Sequence, residues 1–144
     1  MKKFFKMVLI MLFISFTSVN AQDESEEKIH KVVIQVSTDD LRTQNIALNN
    51  AVNLQKLYGL DNVEIEIVAY GPGLTLLTTK GIHNKRVESL ALQNIEFSAC
   101  SNTIKNIERK FGTKIVLLDG VQTVTAGVAR IIELQEEGYS YIRP

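Results

Sequence analysis

What this sequence lacks narrows it before what it contains does. Its 144 residues hold one cysteine, Cys100. A single thiol forms no disulfide within its own chain, and no second thiol is present to resolve an oxidised one. Cys100 is therefore buried and inert, paired between chains, or free and reactive with a partner from outside. Charge of one sign is also missing, since 16 basic residues balance 16 acidic ones. No basic stripe or basic amphipathic helix stands out, which argues against nucleic acid and anionic membrane as partners. Histidine is scarce, with only His30 and His83. Neither has a second ligand at helical spacing, so no metal site is expected. Neither Gly-x-x-x-x-Gly-Lys nor Gly-x-Gly-x-x-Gly occurs after a strand, so nucleotide binding lacks its phosphate loop and no cofactor is expected. Internal repeats and low-complexity segments are absent as well.

Long apolar runs are absent, and this decides how the N-terminus reads. Lys2, Lys3 and Lys6 precede an apolar run over residues 7–16, and Val19-Asn20-Ala21 closes it with small residues. At about 10 residues the run is half of what a membrane-spanning helix needs. This is the pattern of a secretory signal peptide over residues 1–21, cleaved after Ala21. Cleavage would leave 123 of the 144 residues, with 13 basic against 16 acidic side chains, exported and periplasmic. Residues 22–29 read as a disordered polar leader, and residues 30–144 as one domain.

Strands and helices then alternate. Residues 31–37 form a β-branched run too continuously apolar for a half-exposed strand, so they read as a buried parallel one. Thr38, Asp39 and Asp40 supply capping oxygens for a helix that Gly59 closes. Residues 63–69 are the second strand, ended by the turn signal Tyr70-Gly71-Pro72-Gly73. A single apolar turn at 74–77, a loop at 78–85 and a short helix at 86–92 lead to the third strand, 95–99. After Cys100 a helix carries Ile104, Ile107 and Phe111 on one face and stops at Gly112. A fourth strand is expected at 114–118 and a carboxyl-edge loop at 119–123. The last helix is expected over 124–137, with Val124, Val128, Ile131 and Ile132 inward, followed by a final strand at 139–142. This alternation predicts an α/β fold, a three-layer α/β/α sandwich on a five-stranded, mainly parallel sheet of flavodoxin-like appearance.

Cys100 marks the candidate site. It stands where a strand runs into a helix, at the carboxyl edge where open α/β sheets place ligands, and at the positive end of a helix dipole. N–H groups there draw a thiol toward its reactive thiolate form. Ser101, Asn102 and Thr103 add donors in the same turn. Other carboxyl-edge segments bring Asp39, Tyr70, Gly71, Gly73 and Gln122 toward that rim. The opposing reading is a cysteine that merely packs beside helix-capping polar residues.

The signal, Val33-Ile34-Gln35-Val36, the Val68-Ala69-Tyr70-Gly71-Pro72-Gly73 turn, Phe97-Ser98-Ala99-Cys100-Ser101-Asn102-Thr103 and the closing stretch from Gly127 to Pro144 together resemble the small exported branch of the DsrE/DsrF-like family. The resemblance spans essentially the whole domain. It implies a five-stranded parallel α/β/α fold and homo-oligomers such as trimers or hexamers. It also implies a persulfide carried on the cysteine matching Cys100 and passed between a sulfur donor and an acceptor protein. Sulfur relays of that family work in the cytoplasm, whereas this chain carries an export signal, so the cysteine transfers more directly than the role. The alternative is a non-catalytic oligomeric binding module for a small ligand or a protein, with Cys100 structural. The sequence does not by itself divide an enzyme from a binding protein.

Overall fold

The first strand organises the sheet because its side chains are apolar on both sides. In a computed structural model, which describes residues 28–144, β1 (His30–Val36) pairs in parallel with β2 (Val63–Ala69) on one side and β5 (Ser140–Ile142) on the other. Beyond β2 come β3 (Ile95–Cys100) and β4 (Val121–Val124), giving the order β4-β3-β2-β1-β5 with every pair parallel. The helices are α1 (Leu41–Tyr58), a 3-10 helix (Gly71–Leu77), α2 (Asn84–Ala91), α3 (Ser101–Phe111) and α4 (Gly127–Glu136). The expected three-layer α/β sandwich is the fold observed. The expected signal peptide, residues 1–21, and residues 22–27 of the expected leader lie outside the described residues.

The two layers flanking the sheet follow from the direction of travel. Right-handed crossovers from β1 through β2 and β3 to β4 all run one way and place their helices on one face. The return from β4 to β5 runs the other way and places α4 on the opposite face. Accordingly Val32, Ile34, Ile65, Ile67 and Phe97 pack with Ala47 and Leu48 of α1 and Val87 of α2 in one large apolar cluster. Val33 and Val68 on the reverse face meet only Ile131 and Leu134 of α4, with Tyr70 and Tyr139 packed at the margin.

Several elements differ from expectation, each for a physical reason. Residues 114–118 are extended and half-apolar, but they form no sheet strand. Instead they fold back over the 3-10 helix, with Thr79 N–H donating to Val116 O (3.0 Å) and Leu118 N–H to Leu77 O (3.0 Å). The expected loop at 119–123 largely is β4, set in register by a turn in which Gly120 takes a positive φ of 80°. The last helix starts at Gly127 rather than 124, because Val124 is still pairing with Cys100 in the ladder. That shift rotates the helix's inward face to Ile131 and Leu134 and leaves Val128 (58 % exposed) and Ile132 (53 %) outside. Phe111 is also outside at 63 %, whereas Ile104 and Ile107 do pack against the main cluster.

Candidate functional site

Strands β3 and β4 are neighbours, yet their following helices leave toward opposite faces of the sheet. This is the topological switch point, where the two diverging chains open a crevice at the carboxyl edge. Cys100, the last residue of β3, occupies it. Helices α3 and α4 both begin there, so two positive dipole ends converge on one sulfur.

The donors around that sulfur are specific. Burial raises the Cys100 thiol pKa, but the Thr103 hydroxyl and the N–H groups of Gly127, Thr103 and Asn102 outweigh burial and hold it below its ordinary value. The Thr103 hydroxyl is oriented for this purpose. Its oxygen accepts Gly71 N–H at 3.0 Å, which leaves its one proton for the sulfur. Asn102 N–H is shared with Thr125 O at 3.2 Å and contributes least. Cys100 itself is 5 % exposed, so the crevice is narrow.

The sequence-predicted residues separate into three groups. Thr103, Asn102 and Gly71 join Cys100 as described, and Ser101 opens the same helical turn. Tyr70 belongs to the site's frame, its ring lying where a side chain on Gly127 would stand. Asp39, Gly73 and Gln122 are placed elsewhere. Asp39 is exposed after β1, two strands from β3, while the neighbouring Asp40 caps α1 by accepting Thr43 N–H at 2.7 Å. Gly73 is a packing glycine: a Cβ there would lie 2.1 Å from Val36 O, so only glycine lets the 3-10 helix close over the end of β1. Gln122 sits within β4 rather than in a rim loop, and donates to Ser98 Oγ at 3.0 Å.

Gln122 belongs to a polar network on the α4 face. Glu66 is buried and accepts the Ser98 hydroxyl proton, together with Nε and Nη2 of Arg130 at 3.0 and 2.7 Å. Hydrogen bonding to Glu66 raises the Arg130 pKa, and the Glu137 and Glu133 charges add to that. A cleft of about 430 Å³ lies beside the network, lined by Gln122, Thr123, Val124, Ala129, Arg130 and Glu133 among others.

Two positions that shape the crevice are not legible in the sequence motifs: Thr125, whose carbonyl accepts Asn102 N–H, and Gly127. A Cβ on Gly127 would stand 2.9 Å from Tyr70 Cδ1 and 3.0 Å from Tyr70 Cβ. Only glycine therefore lets α4 begin close enough for its first N–H to reach Cys100. The signal was present, since a glycine inside a helix interior costs about 1 kcal/mol and argues for a helix end instead. The histidines stay clear of the thiol: His30 stacks on Tyr58 with ring centroids 3.7 Å apart, and His83 Nε2 lies 3.3 Å from Leu41 O. Among the described residues no group of three or more His, Cys, Asp or Glu side chains is arranged to hold a metal ion.

Fold and site together define a doubly wound parallel α/β sandwich with a lone thiol at its switch point. Among solved structures the chain is similar to MTH1491 from Methanobacterium thermoautotrophicum, described as a protein of unknown function. The two are 35 % identical with a TM-score of 0.72 over 80 % of this chain and 99 % of that one. The chain belongs to the same family as that archaeal protein. The ychN protein of E. coli shares the fold, with a TM-score of 0.64 at 17 % identity over 81 % of this chain and 100 % of its own. No family model matches the sequence, and no curated protein does.

Proposed function

We propose that this is an exported, periplasmic DsrE-like protein that forms homo-oligomers and in which Cys100 accepts sulfane sulfur or reacts with thiols of a partner. The observation that carries this reading is the convergence on the Cys100 sulfur of donors from three separate segments, Gly71 acting through Thr103, the start of α3 and the start of α4, which favour the thiolate against burial. In the sulfur-accepting step the Cys100 thiolate attacks the outer sulfur of a donor persulfide, R–S–SH. The donor's S–S bond breaks, a new S–S bond forms at Cys100, and the donor leaves as its thiolate. An acceptor thiolate reverses the sequence. Nothing is oxidised or reduced overall, so the absence of a resolving cysteine is no obstacle.

The test is the pH dependence of Cys100 alkylation in the native protein, read by intact mass. A midpoint below the roughly 8.5 of a free thiol, with complete labelling of folded protein, is expected. Labelling that needs denaturant overturns the reading. The low exposure of Cys100, 5 %, favours a second one: a non-catalytic binding module in which the thiol only packs. A native protein that resists alkylation yet still binds a ligand or partner as Cys100→Ser would establish it.

A further inference from the structure

Helix α3 is amphipathic, yet none of its 11 residues is fully buried. Its apolar edge opens onto two adjoining clefts of about 350 and 260 Å³ that share Ile107. Phe111 (63 % exposed) and Val116 (60 %) flank them. Lys110 is in the lining of one cleft, Lys80 and Lys114 in that of the other, and neither lining contains an acidic residue. Lys110 lies 5.1 Å over the Phe111 ring, and among the described residues none of these three lysines forms an ion pair. The one carboxylate of α3, Glu108, is occupied in accepting Ile115 N–H at 2.9 Å.

The outer side of α4 is the counterpart. Val128 and Ile132 stand one turn apart and more than half exposed, with Glu133, Glu136 and Glu137 beside them. Arg130 neutralises this surface only in part, reaching Glu133 at 3.8 Å and Glu137 at 3.7 Å. It is drawn inward by Glu66, so one positive charge faces Glu66, Glu133 and Glu137. One patch is thus apolar with a positive rim, the other apolar with a negative rim, and they lie on helices of opposite sheet faces.

We infer that the α3 patch of one copy, centred on Phe111, docks on the α4 patch of the next, centred on Val128 and Ile132, in a head-to-tail contact. This rests on the self-association proposed above and assigns its surfaces. Phe111 lies over Val128 and Ile132, while Lys110 and Lys114 meet Glu133 and Glu136 across the rim. Two different patches make the contact heterologous, so copies close into a ring when the rotation permits.

The experiment is sedimentation equilibrium on the full-length expression product at moderate salt. Lys110→Glu with Lys114→Glu, and separately Glu133→Lys with Glu136→Lys, are each expected to weaken association by on the order of 100-fold, through like charges placed opposite one another. All four changes in one chain restore complementarity and are expected to restore the wild-type mass. The altered positions are exposed, and circular dichroism checks that each variant is folded. A monomeric wild type overturns both the self-association and the assignment. An oligomer indifferent to either reversal, or one that the fourfold variant fails to recover, overturns the assignment alone.

Discussion

The two faces of the one sheet are built on different chemistry. Under α1 and α2 the face is dry: Ile34, Ile67, Phe97 and their neighbours are apolar and close-packed. Under α4 it is mixed: beside the small apolar cluster of Val33, Val68, Ile131 and Leu134, the polar side chains of Glu66, Ser98, Gln122 and Arg130 are held by hydrogen bonds, and Tyr141 donates to Gln35 Oε1 at 2.7 Å. The dry face is held by area removed from water, which tolerates small shifts. The polar face is held by partners, each of which strands another when it is lost. The thiol lies at the edge of the polar face, where fixed donors are available.

The sharpest way to break this contrast is to remove one side chain from each face. Phe97→Ala on the dry face is expected to cost about 3–5 kcal/mol in urea unfolding, the transfer of a large side chain plus the cavity it leaves. A loss under about 1 kcal/mol would mean the face is not close-packed. On the polar face Arg130→Ala strands the buried Glu66 carboxylate and is expected to cost about 3 kcal/mol, whereas Glu66→Leu with Arg130→Met recovers most of that loss. If the double variant were no better than the single, the pair would be contributing more than mutual neutralisation. The smallest effect on stability sharpens the comparison at the boundary. Gly127→Ala is expected to cost about 1–2 kcal/mol as Tyr70 and α4 move apart. The alkylation midpoint of Cys100 should rise toward that of a free thiol in the same variant. An unchanged midpoint would show that α4 does not supply a donor to the sulfur.

The dry face was legible in the sequence because its signal is local. Residues 63–69 form a strand with the expected ends, and the helix from 41 to 58 with its Gly59 stop stands as read. Ambiguity entered after Gly112. Residues 114–118 and 121–124 are both short, extended and partly apolar, and only the register against β3 decides which of them joins the sheet. Pairing of that kind depends on residues about twenty positions away, which periodicity does not report. The same gap hid Gly127: with the fourth strand placed early, the glycine fell inside a helix instead of at its start. Cys100 and Thr103 were legible because a strand-to-helix junction is a local pattern. The Gly71 N–H that orients the Thr103 hydroxyl is a contact across 32 residues and was not.

The hydrogen bond from Gly71 to Thr103 also has a consequence in time. The groups that acidify the sulfur come from the start of α3 and the start of α4, with Gly71 at the start of the 3-10 helix orienting Thr103, and they meet only where β2, β3 and β4 are paired. A newly made or unfolded chain therefore carries an ordinary thiol, mostly protonated at neutral pH. Its acidity is therefore a property of the assembled sheet, and it weakens as each of those segments is withdrawn.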